Sequence, residues 1–506
     1  MYARRGPHRF LRVIFRAYGD SGAAMRKNMQ RDKVRFDVAV VGGGVVGALT
    51  ARELKKYALS VAVLEAADDV AAGASKANSG IVHAGFDALP GTLKAKYNVA
   101  GNAAMEGVCC ELGVPFARCG SLVVARGGEE AGLEALSERG RENGVEGLEI
   151  VGRDRLLQLE PHIAQEITAA LYAPTGGIVC PYALTIAAMG NAMDNGARLL
   201  CGFEVTGAQK GSDGWRLISA DGREVSARIV VNCAGAGAER VAALFGDTFF
   251  RIGLRRGEYM LLDKSVGTFA RHTVFSLPTK AGKGVLVTPT ADGNLLVGPT
   301  SVEDGAYSTA VRREAFGEIA QRALSMLADI PFGQVITSFA GERAYSDRHD
   351  FILEWGAEGV FHAAGIESPG LTASPAIARD VAAQIAGALG AKGNAAFDPV
   401  RRSAHWFREL PREEKNAVIA QDPAYGKIVC RCEEVTLGEV LDAMRRNPPA
   451  RTLDGVKLRT RAGMGRCQSG FCQPAVFNEL MREWGMTAEQ VTKNGKTSFI
   501  IAGGEI

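Results

Sequence analysis

The chain contains no uninterrupted apolar run of about 18 residues, so a membrane-crossing helix is not expected. An excess of one charge is also missing. The 59 Lys and Arg against 56 Asp and Glu leave a formal net charge of +3, which gives no global reason to bind nucleic acid. Internal repeats and low-complexity tracts are absent, which argues against solenoid or propeller arrays. A second dinucleotide motif is absent as well. Gly387-x-x-Gly390-x-x-Gly393 follows a helical pattern instead of a strand and reads as a C-cap, so no separate NAD site is expected. What is present is 506 residues, room for two to four domains, with 62 glycines, a richness suited to α/β nucleotide binders.

The charge is uneven along the chain. Residues 1–35 carry eight Arg and two Lys against two Asp, and Phe10 to Tyr18 could form a short amphipathic turn. A transit or membrane-surface segment is one reading. The favoured one is a disordered extension, or a start placed too early with Met25 or Met29 as the true beginning, because the apolar stretch is too short for a secretory signal.

Folding is expected to begin near Val34, and Phe36 to Glu65 reads as one βαβ unit, FDVAVVGGGVVGALTARELKKYALSVAVLE. Gly42, Gly44 and Gly47 stand in the G-x-G-x-x-G register. The first permits a tight turn off the strand, the second lets backbone approach a pyrophosphate, and the third packs helix on sheet. Val45 and Val46 open the helix, whose N-terminus faces the phosphates. Glu65, 18 positions beyond Gly47, suits ribose hydroxyls without a 2′-phosphate.

The loop Ala66–Phe86 carries Gly73, Ser75, Asn78, Ser79, Gly80, Ile81 and His83, and its small residues would let backbone lie against a flat ring. On composition alone His83 reads as a structural histidine satisfied by backbone. Helices are expected over about Gly91–Leu112, Glu129–Asn143, Tyr182–Gly196 and Ala310–Leu327, with another stopped by Pro161. Strands are expected from Ser121, over Leu199–Ala208, Gly214–Ser219 and Glu224–Val231, and at Ser338–Arg343 and Val360–Ala364. The Glu224–Val231 strand would deliver the small residues Ala234 and Gly235 to the cofactor. Leu254–Thr300 reads as an inserted antiparallel sheet. The loop from Gly365 to Gly370, Leu371 and Thr372 opens a long helix, whose first N–H groups could face a ligand edge. Gly390–Pro411 reads as a linker.

Six of the ten cysteines are scattered: Cys109, Cys110, Cys119, Cys180, Cys201 and Cys233. Such singles usually behave as small buried hydrophobes in a reducing compartment. The other four form Cys430-x-Cys432 and Cys467-x4-Cys472, two close pairs able to supply four thiolates from two loops. Zinc and [2Fe–2S] both accept four cysteines. The C-x-C pair is less usual for a zinc ribbon, and Lys427, Arg431 and Arg466 would offset the thiolate charge of a cluster, so iron–sulfur is the preferred reading.

The stretches VVGGGVVG with Glu65, VVNCAGAGAE and HAAGIESPGLT resemble the D-amino-acid-oxidase-like family of FAD-dependent oxidoreductases. NSGIVHAGFDALPGTLKAK, RRGEY and AGERAYSD resemble the branch holding L-2-hydroxyglutarate oxidases and anaerobic glycerol-3-phosphate dehydrogenases. KIVCRCEEVTLGEV with TRAGMGRCQSGFC resembles the bacterioferritin-associated-ferredoxin-like [2Fe–2S] domain. The resemblance implies an α/β, Rossmann-like FAD-binding domain over 36–395, with substrate-domain segments of about 85–175 and 250–340 inserted. A linker at 396–424 would lead to a small α-rich Cys₄ domain at 425–506.

By the same resemblance the Ser79–His83 loop lies beside the isoalloxazine, which raises His83 to a candidate base, and Gly370, Leu371 and Thr372 lie at the pyrimidine side. Arg343 matches the substrate-anion arginine of A-G-x-R-P, although Ala344 replaces the proline. Arg256 or Lys283 would assist it, and Cys430, Cys432, Cys467 and Cys472 match the cluster ligands. The implied activity is oxidation of a small 2-hydroxy compound, foremost sn-glycerol 3-phosphate to dihydroxyacetone phosphate. Electrons would leave through the cluster to a partner subunit or quinone, in the cytoplasm or peripherally on the inner membrane face. L-2-hydroxyglutarate, or an amino or imino acid such as proline or an opine, is the alternative substrate. A non-catalytic redox or metal sensor is the alternative class.

Overall fold

The structure, a computed structural model, describes residues 35–278, 284–303, 305–401 and 407–501. Of the basic N-terminal segment only Arg35 falls among them, and Lys283 lies outside them. The β-branched run at the start forms β1 (Arg35–Val41), the glycine turn leads into α1 (Val45–Leu54), and β2 (Val61–Leu64) returns parallel to β1. The pleat sends Val38, Val40, Val61 and Val63 to one face and Ala39, Val41, Ala62 and Leu64 to the other, both covered. Over the first face lie α1, α2 (Leu93–Leu112), α3 (Pro181–Asp194) and α4 (Gly370–Leu389).

Contacts within this helix layer are close. A Cβ at Gly101 of α2 would stand 2.0 Å from the carbonyl oxygen of Thr372 in α4, so a side chain there would force the helices apart. Arg52 of α1 is fully buried and gives hydrogen bonds to Asn191 of α3 at 3.0 Å, Glu111 of α2 at 2.5 Å and the Pro399 carbonyl at 3.0 Å. One cation thereby joins three helices and the chain that leaves them.

The first sheet has eight strands. Its main path runs Val205–Gly211, Gly214–Ser219, β3 (Glu224–Asn232), β1, β2 and Arg198–Leu200. Val360–Ala364 lies parallel to the end of β3, with Ile352–Trp355 beside it. The strand expected over Leu199–Ala208 is two strands. Gly202 and Phe203 donate to the carbonyls of Ala67 and Glu65 at 2.7 and 2.8 Å, so the chain turns around the end of β2 before the second strand begins.

The second sheet runs β5 (Val335–Ser346), β4 (Ile252–Leu262), then Leu295–Gly298, Leu286–Pro289, Thr273–Ser276, Ser121–Arg126, Ile167–Ala173 and Glu149–Gly152. Its pairings are antiparallel except between Thr273–Ser276 and Ser121–Arg126, where the two inserted segments meet in parallel. Within Leu254–Thr300 every strand pairing is antiparallel, as expected, and the parallel seam joins that segment to Ser121–Arg126. The short strand expected at Ser338–Arg343 extends to twelve residues because it pairs along nearly all of β4.

Gly390 ends α4 in the left-handed region at φ 61°, and Asn394 and Arg401 then donate backbone hydrogen bonds to Lys56 and Glu111. A further helix, Arg412–Gln421, leads to the cysteine region. There a two-stranded ladder of Ile428–Cys430 and Val435–Thr436 precedes helices Leu437–Arg445, Leu453–Thr460 and α5 (Gln473–Trp484). Val440, Met444, Val456, Val476 and Leu480 form their core, each such burial contributing about 1.5–3 kcal/mol. Among the described residues no helix is long and apolar enough to cross a membrane.

Candidate functional site

Backbone builds the nucleotide end. Gly42 sits at φ 110°, and a Cβ on it would stand 2.4 Å from the Cys233 carbonyl oxygen, where β3 ends. A Cβ at Gly47 would stand 2.0 Å from the Gly42 carbonyl oxygen. Both sites reject any side chain, and the space they preserve is a cradle against the start of α1. Gly44 is the N-cap residue, and Val45 donates to Ser75 Oγ at 2.9 Å. Val46 and Gly47 continue the first turn, whose N–H groups point out of the helix start toward an anion.

Glu65 directly follows β2 with its carboxylate tied to main chain: Gly43 N–H to Oε2 at 2.6 Å and Ala67 N–H to Oε1 at 2.8 Å. Burial pushes this carboxyl up, and the two amides pull it part of the way back. Each oxygen keeps a second lone pair for a ribose hydroxyl. Ala234 lies beside Gly42, and Gly235 follows it at φ 54°. These features fit the ADP half of FAD.

The loop after β2 meets the start of α4. Asn78 donates to the Ala74 carbonyl at 2.9 Å and accepts from Gly80 N–H at 2.8 Å, and Gly80, at φ 68°, would place a Cβ 2.5 Å from the Val179 carbonyl. Ile81 pairs with Ile178, and Ser79 lies in the turn between Asn78 and Gly80. Thr372 Oγ1 accepts from His83 N–H at 2.9 Å and donates to the Ile81 carbonyl at 3.3 Å. Gly370, Leu371 and Thr372 are thus held against Ile81–His83. Asn98 and Asn102 of α2 both donate to the His83 carbonyl, at 2.9 and 3.0 Å, and Ser368 Oγ lies 3.5 Å from His83 Nε2.

The second sheet closes over this loop. A Cβ at Gly341 would stand 2.0 Å from the Ala77 carbonyl oxygen, so β5 rests directly on the loop backbone. Strand pairing sets Arg343 opposite Arg255, Gly341 opposite Gly257 and Phe339 opposite Tyr259, and this face looks toward the loop. Arg343 donates to the Thr300 carbonyl at 3.1 Å, and its Nε is buried with no protein partner. Arg255 stacks on Tyr345 at 4.8 Å and reaches Glu303 at 2.6 Å and Glu367 at 3.4 Å. Glu367 also holds Lys94 at 2.8 Å.

Arg256 lies elsewhere. It faces Glu342 across the strands on the opposite face, 5% exposed, above the core that also contains Met260 and Leu262. The structure therefore brings His83 and Arg255 to the Gly365–Gly370 loop, sets Arg343 beside Arg255 on the same strand face, and does not bring Arg256 there. Arg255, Lys94, Glu367 and Ser368 escaped the sequence reading. Period-two alternation counted from Arg343 would have separated Arg255 from Arg256 only if the pairing register were known.

The four cysteines come together as two pairs in the C-terminal region. Cys430 and Cys472 are buried and in hydrogen-bond contact, while exposed Cys432 contacts half-buried Cys467. The hydrogen bond from Cys472 holds the Cys430 thiol down to about 6 against the opposing effect of burial, with amides of Gly463, Glu433 and Cys432 adding to it. Among the described residues no three donors converge as a ready-made site for a single ion. Two thiol pairs fronted by backbone amides fit a two-iron group, which takes four thiolates. Phe471, between two of these cysteines, is 86% exposed.

Glu433 and Arg461 tie these cysteine loops to the rest of the chain, and Arg466 adds an ion pair to Asp263 at 2.9 Å. Arg459 meets Asp69, just beyond Glu65, at 2.6 Å, so the cysteine region also touches the loop at the nucleotide end.

A model of the family described as FAD dependent oxidoreductase matches residues 37–384, and a BFD-like [2Fe-2S] binding domain matches 428–483. The chain is 45% identical over 479 residues, 92% of itself and 98% of the relative, to a glycerol 3-phosphate dehydrogenase of Caloramator mitchellensis. It is 33% identical over 362 residues to a glycerol 3-phosphate oxidase of Mycoplasma pneumoniae, covering 68% of this chain and 93% of that one. The solved L-alpha-glycerophosphate oxidase of Mycoplasma pneumoniae with FAD bound superposes with TM-score 0.69 at 30% identity, over 72% of this chain and 98% of that one. FAD and a [2Fe–2S] cluster are accordingly the cofactors of this enzyme. The chain belongs to the FAD dependent oxidoreductase family and carries a BFD-like [2Fe–2S] domain at its C-terminal end.

Proposed function

We propose that this enzyme is a dehydrogenase of sn-glycerol 3-phosphate, yielding dihydroxyacetone phosphate and passing electrons by way of its iron–sulfur domain to a protein or quinone acceptor. The observation that carries this reading is the 45% identity to a glycerol 3-phosphate dehydrogenase, which runs through both the FAD and the cysteine regions. When bound, FAD supplies a two-electron acceptor and the [2Fe–2S] group a one-electron carrier. Arg343 binds the phosphate dianion, with Arg255 beside it on the same strand face. A planar guanidinium fork suits that task better than a lysine. His83 takes the hydroxyl proton at Nε2, the atom near Ser368 Oγ. Its backbone is fixed on both sides by Thr372 and the two asparagines, so the ring is held in place before substrate arrives. On this reading the enzyme works in the cytoplasm, with peripheral attachment to the inner membrane face as the route to a quinone.

Anaerobic titration of the purified protein with glycerol 3-phosphate, L-2-hydroxyglutarate and proline tests this, with flavin and cluster absorbance followed separately. Glycerol 3-phosphate should bleach the flavin band at the lowest concentration, and failure to bleach it sinks the reading. A second reading, L-2-hydroxyglutarate as substrate, is favoured by 29% identity over 403 residues to the mouse mitochondrial L-2-hydroxyglutarate dehydrogenase. That match covers 68% of this chain.

A further inference from the structure

Glu433 directly follows Cys432, and Arg461 lies six residues before Cys467. Each is 3% exposed, although one is an acid and the other a base. Arg461 caps the helix Leu453–Thr460 in a left-handed conformation, φ 68°, which is strained for a residue that bears a side chain. That conformation aims its guanidinium out of the cysteine domain. Nε donates to Glu433 at 2.9 Å, one terminal nitrogen meets Asp292 at 2.7 Å and Tyr182 at 3.1 Å, and the other meets Asn294 at 3.0 Å. The Glu433 carboxylate receives two more cations, Lys264 at 2.7 Å and Arg408 at 3.1 Å.

Apart from Tyr182, which lies at the start of α3, the far partners of Arg461 and the lysine on Glu433 belong to the second sheet. Asp292 and Asn294 occupy the turn between strands Leu286–Pro289 and Leu295–Gly298, and Lys264 lies two residues past the end of β4. The other end of β4 carries Arg255. Burying this many charges is a poor way to gain stability, because apolar side chains of the same volume serve as well or better. What buried, directional ion pairs add is a fixed register between the parts they join.

We infer that Glu433 and Arg461 are positioning residues that lock the cysteine loops onto the second sheet, so that the iron–sulfur cluster stands at one separation and orientation from the flavin. The inference rests on the proposed passage of electrons through the cluster. Electron passage between two centres falls off exponentially with the gap, so a loosened dock slows that passage while leaving substrate oxidation alone.

The test uses the full-length protein loaded with FAD and iron, with Lys264→Met and Asp292→Asn. Both residues lie outside the cysteine loops and away from the substrate arginines. Stopped-flow absorbance under anaerobic conditions times the flavin and cluster bands separately, and amide hydrogen exchange reports on residues 289–295. Both variants should keep full iron and FAD and unaltered flavin bleaching. The following change in the cluster band should be about tenfold slower, and exchange at 289–295 faster. Arg461→Lys, which keeps the charge and loses the fork, should fall in the same direction.

Cluster rates like those of the unaltered protein in both variants overturn the inference. Equal slowing of both bands does so too, and so does loss of iron, which would assign the network to folding alone. If glycerol 3-phosphate fails to bleach the flavin of the unaltered protein, the substrate assignment falls by itself. The dock is then read by photochemical reduction of the flavin, which needs no substrate.

Discussion

The two faces of the β4–β5 pair differ in what they ask of the same residue type. One face, with Arg255, Arg343, Tyr259 and Phe339, looks toward the flavin loop, and Tyr259 and Phe339 stack on it at 4.9 Å. The other, with Arg256, Glu258 and Glu342, packs into a core, where Glu258 takes Arg312 at 2.6 Å and Thr300 Oγ1 at 2.7 Å and Glu342 accepts from Ser308 N–H at 3.0 Å. Arg255 and Arg256 are neighbours in sequence, yet one lies on the face over the His83 loop and the other is part of the scaffold. An arginine's role here is set by the parity of its position along a strand, more than by its charge.

Replacing Arg343 by Met should give the largest effect, a fall of about 100-fold in kcat/KM for the anionic substrate with little change in melting temperature. Steady-state kinetics beside thermal unfolding would decide, and an unaltered KM would remove Arg343 from the site. Arg255→Met should cost about tenfold in KM, because its guanidinium is already shared with Glu303 and Glu367. Arg256→Met should invert this pattern. It removes a nearly buried side chain from the packed face that also carries Met260 and Leu262, costs about 2 kcal/mol in stability, and leaves KM in place. A raised KM with unchanged stability in Arg256→Met would exchange the two faces.

The smallest effect concerns pH. Burial alone would raise the Glu258 carboxyl, but Arg312 and Thr300 outweigh it and hold it below the usual range. A depressed carboxyl contributes stability above its unfolded value and loses it as pH falls through the folded one. Glu258→Gln should therefore be less stable than the unaltered protein by about 2 kcal/mol at pH 7, with the gap narrowing as pH drops through the carboxylate range. Denaturant midpoints across pH measure it, and a gap that widens in acid would contradict it.

The same contrast explains what the sequence made legible. Gly42 and Gly47 could be read because a backbone-built site demands the absence of side chains at fixed spacing, and the contacts at 2.4 and 2.0 Å are that demand in physical form. The cysteine quartet could be read because thiols in close pairs have few other uses. The parallel seam at Thr273–Ser276 and the choice of Arg255 over Arg256 could not, since both depend on which distant strands pair and in which register. The buried cluster of Glu433 and Arg461 was hidden for a different reason: its charged members come from five separated stretches, and each alone looks like an ordinary surface charge.

Gly341 gives the molecule an unusual mechanical property. Because β5 bears on the Ala77 backbone with no side chain between, the sheet that carries Arg343 and the loop that carries His83 behave as meshed gears with no slack. Anything that shifts one moves the other in step. Even a single methyl at this position would open the mesh and change the distance between the two chemical halves of the site without touching either.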